Sequence, residues 1–338
     1  MTGRYSRQAL LPWLGEAGQS RIEASTAGVV GMGALGCVTA DYLCRAGVGR
    51  LVLVDRDFVE RTNLTRQTLY AQSDAEERLP KVVAAGRRLL EARSDLELET
   101  RCADMDGELA RSLFQTCDVV VDGTDNFETR YMLNDAAVWA GKPWIYGGAV
   151  SGHGSVLLVR PGETACLRCL FPTCPPPGSA STCDTVGILG PAAGAVAALQ
   201  AGEALKVLAG RSDLCAGGLL TVDLMTWSFS RIAAPRDPSC PCCSQRRFEF
   251  LDEQAGTRTH RVCGRDGILV LAPKGTRVDL EALKTRLSAV APVYANPYLI
   301  QTEWEGHIVT IYGDGRALIQ KTDDPARARA LYARYLGM

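Results

Sequence analysis

Three glycines, two cysteine pairs and a set of charged residues between them carry the chemistry legible in this sequence. Gly31-x-Gly33-x-x-Gly36 follows a short apolar run and opens a small-residue stretch. Glycines there permit a tight turn and close backbone approach. A helix starting in that turn offers free N–H groups to a phosphate. Asp55 ends the next apolar run, about 20 residues on, where an acid usually holds a ribose hydroxyl. Alone, this spacing says nucleotide, with NAD as the first expectation.

The residues that follow point to a triphosphate instead. Asn63-Leu64-x-Arg66-Gln67 and then Lys81 place Asn, Arg and Lys soon after the glycine-rich turn. Arg and Lys offset charge on phosphates and on a departing pyrophosphate. Asp125, in Gly123-Thr124-Asp125-Asn126, closes another strand-like run. A carboxylate at that edge of a sheet can hold Mg²⁺ bridging phosphates. Surface salt bridges or a helix cap would explain any one of these residues, but not all of them in this order.

The chain has 13 cysteines. Cys166-Leu-Arg-Cys169 and Cys240-Pro-Cys-Cys243 form two C-x-x-C pairs, and four such thiolates suit a closed, structural Zn²⁺ site. Cys242 competes for a place in it, and spacing favours Cys240 with Cys243. Cys183, in Ser181-Thr182-Cys183-Asp184, ends a Pro-rich stretch. An exposed thiol there suits nucleophilic attack or persulfide chemistry. Cys174 reads as a surface thiol or a resolving partner. Cys37, Cys44, Cys102, Cys117 and Cys215 lie in apolar patterns and read as core residues.

Elements must position these groups. Residues 26–31, 50–55, 96–101, 118–126 and 143–148 read as strands. Residues 34–46, 80–93, 127–140 and 192–208 read as helices. Strand–helix–strand with a glycine turn predicts an α/β fold: a doubly wound, Rossmann-like, mostly parallel sheet. Residues 153–162, 219–224 and 227–233 read as strands of an antiparallel extension. Residues 170–186 are too rich in Pro, Gly and Ser for helix or central strand and predict an exposed crossover loop. Two domains are expected. Residues 1–245 carry the nucleotide and zinc sites. Residues 257–338 form a small α+β domain reading strand, strand, helix, three strands, helix.

Composition excludes several classes. The chain has 338 residues, 46% hydrophobic and 22% charged, which is ordinary for a globular protein. A net charge of -1 gives no electrostatic case for nucleic acid or an anionic membrane. No apolar run reaches the roughly 18 residues of a membrane span, and the first residues do not read as a signal peptide. A cytoplasmic location is expected.

The chain resembles the ThiF/MoeB/HesA family of adenylyltransferases, relatives of the ubiquitin-activating enzymes. Arg4-Tyr5-Ser6-Arg7-Gln8, the Gly31 loop, Asp55 with Asp57, Asn63-Leu64-Thr65-Arg66-Gln67, Lys81 and Gly123-Thr124-Asp125-Asn126 carry the resemblance, over roughly residues 1 to 245. It implies ATP-dependent adenylation of the C-terminal Gly-Gly carboxylate of a ubiquitin-like sulfur-carrier protein, in thiamin or molybdopterin synthesis. It implies that Asp55 holds ribose, that Asn63, Arg66, Lys81 and Arg7 contact phosphates, and that Asp125 holds Mg²⁺. Asp57, Gln67 and Asn126 line the same site. Arg7 would reach into a second subunit, so a homodimer is implied. Cys183 matches a position that carries a covalent link in some members, fed by a persulfide sulfur donor. The zinc set becomes Cys166, Cys169, Cys240 and Cys243. The chain departs from the family at Ala34, where a further glycine is common, and before Lys81, where the usual glycine is missing. Two rival readings are a non-carrier acceptor (a tRNA base or peptide carboxylate) and an NAD-dependent oxidoreductase. The second leaves Arg66, Lys81 and both cysteine pairs idle.

Overall fold

The structure, a computed structural model, describes residues 3–175, 186–252, 259–261, 267–272, 275–289 and 291–336. The chain divides into two compact units, Met1–Glu253 and Gln254–Met338.

The first unit is built on eight strands: β1 Thr26–Val30, β2 Arg50–Val54, β3 Glu97–Arg101, β4 Val119–Asp122, β5 Trp144–Val150, β6 His153–Val159, β7 Gly218–Asp223 and β8 Ser228–Ala233. Their order is β3-β2-β1-β4-β5-β6-β7-β8. Strands β3 to β5 pair in parallel, and β5 to β8 pair antiparallel. The central strands are apolar almost throughout because both of their faces are buried. Connections from β1 and β4 leave in opposite directions, so a crevice opens beyond their C-terminal ends.

Helices Ala34–Ala46, Lys81–Ala92, Phe127–Ala140 and Gly190–Leu208 match the sequence periodicity to within two residues. Small residues let Gly190–Leu208 pack against both the Ala34–Ala46 helix and β5. Gly47 and Gly141 end two helices in the left-handed conformation. Helix Gly107–Thr116 has no counterpart in the sequence reading. Asp106 caps it through the Leu109 N–H, and Ala110, Leu113 and Phe114 bury its inner face. Trp144, Tyr131, Phe114 and Leu113 are among the large side chains of the core beneath the crevice.

The second unit is a separate antiparallel sheet: β9 Thr259–Arg261, β10 Gly267–Val270, β11 Val293–Ala295, β12 Leu299–Trp304, β13 His307–Tyr312 and β14 Ala317–Gln320. Its order is β11-β12-β13-β14-β10-β9. Helices Leu280–Ser288 and Pro325–Leu336 supply Leu283, Leu287, Leu331 and Tyr332 to a core with Ile300, Trp304, Val309 and Ile319. After its helix the sequence reading expected three strands. The fourth, β11, is only three residues long and too short to show alternation.

Candidate active site

Gly31 has φ +84°, and a Cβ there would lie 2.7–2.8 Å from backbone atoms of Gly123 and Thr124. A Cβ on Gly36 would lie 1.9 Å from the Gly31 carbonyl oxygen. Gly31 is forced by packing of the β1 turn on the end of β4, and Gly36 by the backbone of its own turn. Gly33 differs, because a Cβ there would meet nothing nearer than 3.8 Å. It caps the Ala34–Ala46 helix without a side-chain hydrogen bond, so the first turn keeps its donors for the crevice.

Asp55 fixes the turn. One of its carboxylate oxygens accepts from the Met32 N–H at 2.6 Å, and the other from the Asp57 N–H at 2.6 Å. Burial raises its pKa, with the Lys81 ammonium opposing that shift. Each oxygen keeps a further lone pair for a ribose hydroxyl. The Lys81 ammonium lies 3.2 Å from Asp57. Arg56, between the two aspartates, donates from one Nη to both carboxylate oxygens of Asp104, at 3.0 and 3.2 Å. Burial opposes its charge, but Asp104, Asp57, Asp125 and Asp55 outweigh burial and hold its pKa up. The sequence reading missed Arg56 and Asp104. The run Asp55-Arg56-Asp57 was the available signal for the first, and nothing local marked the second.

Asn63 and Gln67 are buried on a 3-10 turn, Arg61–Thr65, and the residues just beyond it. The Asn63 side-chain oxygen accepts from the Glu60 N–H at 3.0 Å, which leaves its amide NH₂ as the group facing a ligand role. Arg66 folds back on the Thr62 carbonyl oxygen at 3.1 Å. Asn126 caps the Phe127–Ala140 helix through the Thr129 N–H at 2.8 Å. Asp125, one residue earlier, is exposed and makes no hydrogen bond among the described residues. Beneath it Asp122 is fully buried. Its one oxygen accepts from the Thr124 N–H and hydroxyl, and the other lies 3.6 Å from Arg130. Burial lifts Asp122 to about 6. Arg130 in turn donates to the Thr124 carbonyl at 2.7 Å, so Asp122 and Arg130 brace the loop that carries Asp125.

Arg7 stands apart from this group. Its neighbour Gln8 donates to the carbonyl of Ala46, the last residue of the helix that Gly33 begins. The 13 residues between span roughly 20 Å, beyond one arginine side chain.

The sulfur atoms of Cys166, Cys169, Cys240 and Cys243 all lie within 4.8 Å of one another. Three of the pairs are 3.8, 3.5 and 3.4 Å apart. A tetrahedron with Zn–S bonds of about 2.3 Å has edges of roughly 3.8 Å, so the residues fit a structural zinc ion. Burial pushes the Cys240 thiol up to about 11, a cost that a bound dication removes. Cys242 lies 3.3 Å from the Asn134 amide nitrogen, and its thiol also touches Cys166 and Asp135 at the edge of the set. The Asn134 oxygen accepts from the Leu167 N–H at 2.8 Å, tying the first knuckle to the Phe127–Ala140 helix. Cys183 lies outside the described residues. Cys37, Cys44 and Cys117 are buried as the apolar pattern implies, while Cys102 and Cys215 are only partly so.

Comparisons with known proteins agree with this architecture. A profile described as "ThiF family" matches residues 5–242. The sulfur carrier protein ThiS adenylyltransferase of Bacillus subtilis is 41% identical over 340 residues, spanning 100% of both chains. The sulfur carrier protein adenylyltransferase of Thermus thermophilus is 40% identical over 259 residues, 75% of this chain and 95% of that one. A crystal structure of E. coli MccB with ATP superposes with a TM-score of 0.63 at 23% identity, over 72% of this chain and 75% of that one, a likeness of fold. The chain belongs to the ThiF family.

Proposed function

We propose that the chain adenylates the C-terminal Gly-Gly carboxylate of a ubiquitin-like sulfur-carrier protein with ATP and Mg²⁺. The observation that carries this reading is the crevice at the β1/β4 switch point. There the open Gly33 turn, the Lys81–Asp57 pair and the exposed Asp125 come from three neighbouring strand ends. A carboxylate oxygen attacks the α-phosphorus, and the bond to pyrophosphate breaks. The attacking group is already an anion, so the protein needs no general base. Its task is to bring two anions into line and stabilise the leaving group. The helix N-terminus, Asn63, Arg66 and Lys81 supply donors and charge, and Asp55 supplies ribose contacts. Asp125 would hold Mg²⁺, which when bound neutralises phosphate charge. In ATP–pyrophosphate exchange, activity should require the carrier and should vanish in Asp125→Ala. Exchange that survives Asp125→Ala would remove this assignment.

Arg7 completes the site from a second copy of the chain in this reading. Its distance from its own glycine turn supports that geometry. Mixing inactive Arg7→Ala and Asp125→Ala proteins should restore about a quarter of the activity per chain through hybrid dimers. No restoration would contradict a shared site. The body of the carrier has a suitable platform in β8. This strand ends the sheet, all six of its residues are exposed, and Trp227 and Phe229 beside and within it are 86% and 62% exposed.

The adenylate would then pass to a sulfur source. The terminal sulfur of a persulfide donor would displace AMP and form an acyl disulfide. A thiolate, Cys183 or one from an added thiol reductant, would then attack the donor's own sulfur, forming a new disulfide with it and releasing the carrier thiocarboxylate for thiamin or molybdopterin synthesis. No helix among the described residues is long and apolar enough to cross a membrane. A cytoplasmic location is part of this reading.

A further inference from the structure

Both peptide groups that flank the side chain of Met32 are clamped. Its N–H donates to Asp55, and its carbonyl oxygen accepts the Tyr70 hydroxyl at 2.6 Å. Met32 is fully buried and Tyr70 is buried beside it, so this carbonyl has no recourse to water. The Cys37 thiol also approaches the same oxygen, at 3.5 Å. In a trans peptide the C=O and N–H of one unit point in opposite directions. Holding the Met32 carbonyl toward Tyr70 therefore turns the Gly33 N–H the other way. That N–H donates to nothing among the described residues, and Gly33 is the glycine of the turn with open space around it.

We propose that Tyr70 is a positioning residue for nucleotide binding, its hydroxyl fixing the Met32–Gly33 peptide so that the Gly33 N–H faces the phosphates. Tyr70 lies three residues beyond Gln67, and that segment is joined through the Gln67 N–H to the Asn63 carbonyl at 2.9 Å. One hydroxyl thus ties the turn carrying Asn63 and Arg66 to the turn carrying Gly33, and the two halves of the phosphate site stay in register. A backbone donor aimed before the ligand arrives costs no reorganisation on binding. The sequence marks Tyr70 only as one more apolar position after the Arg66 segment.

The inference rests on the nucleotide reading above, and calorimetric titration of the full chain with MgATP separates the two. Tyr70→Phe keeps the ring and removes only the hydroxyl. It should weaken ATP binding about tenfold. Tyr70→His, which keeps a ring donor, should recover part of that loss. Half-maximal carrier concentration in exchange assays should stay within about twofold, since in this reading the peptide serves the phosphates and not the carrier. A merely structural tyrosine would lower the melting temperature and leave the Kd of the folded protein unchanged. If Tyr70→Phe does not fold, the comparison of wild type with Tyr70→His decides, with weaker ATP binding expected. Equal Kd values in wild type and every folded variant would overturn the role of Tyr70 alone. Absence of ATP binding by the wild type would instead overturn the nucleotide reading.

Discussion

The Lys81 ammonium lies 3.2 Å from the Asp57 carboxylate, while the Lys81 N–H donates to the Asp57 carbonyl at 2.8 Å. Two tethers thus hold the first residue of a helix against the turn after β2. A cation there opposes the helix dipole, and its side chain is only 8% exposed. Its charge offsets Asp57 and the buried Asp55, and in the proposed reading it is also a phosphate contact. Lys81→Met should lower the kcat of ATP–pyrophosphate exchange by roughly 10²–10³-fold. The melting temperature should fall as well, because Asp57 and Asp55 lose their cation. A variant that loses stability but keeps kcat would show that Lys81 serves the fold.

The glycines of the turn should separate cleanly. Gly36→Ala drives a Cβ into the Gly31 carbonyl and should destabilise by about 3 kcal/mol or more. Gly33→Ala has room within the protein, so unfolding curves should match wild type while ATP affinity drops at least about tenfold, since the methyl group would occupy phosphate space. Denaturant titration with calorimetric ATP binding checks both.

Purified protein should carry one zinc ion per chain by elemental analysis. Cys166→Ser or Cys243→Ser should lose it, with a loss of several kcal/mol in stability. Cys242→Ser should retain the metal, because Cys166, Cys169, Cys240 and Cys243 close a four-sulfur set without Cys242, whose thiol meets Asn134, Asp135 and Cys166 at its edge. Retention in Cys243→Ser with loss in Cys242→Ser would reverse the ligand assignment.

Asp122 gives a pH signature. Burial lifts its folded pKa to about 6 from an ordinary 3.8. Between those values the folded state holds a proton that the unfolded state has released. Asp122 therefore contributes favourably below about pH 4, and that contribution is lost as pH rises through 6. Relative to Asp122→Asn, the wild type should lose on the order of 3 kcal/mol between pH 4 and 7 and change little above. A difference independent of pH would contradict this, and parallel urea titrations across that range measure it.

The centre of the first sheet was readable because β1, β2 and β4 are nearly continuous apolar runs and its helices have clear ends at Gly47 and Gly141, while the edge strand β3 is marked by alternation in Leu-Glu-Leu-Glu-Thr-Arg. The glycine turn was readable too, though not the division of labour within it: spacing cannot tell a glycine forced by nearby backbone, such as Gly36, from one left open, such as Gly33. Helix Gly107–Thr116 escaped notice because polar residues interrupt a short pattern with only three buried positions. Arg56 with Asp104, and Tyr70 with Met32, act by bracing residues distant in sequence, while Asp122 and Arg130 brace the nearby Thr124 loop through burial, and both kinds of role exist only after folding. The opposite case is Asn126, whose oxygen the structure commits to a helix cap.

The most direct measurement is the intact mass of a Gly-Gly-ending sulfur-carrier protein after incubation with this enzyme, MgATP and pyrophosphatase, without a sulfur source. A carrier heavier by one adenylyl group is expected. The adduct should be absent from a carrier lacking its final glycine and absent with Asp125→Ala. A carrier of unchanged mass, under conditions where the enzyme binds ATP, would contradict adenylation of the carrier's carboxylate.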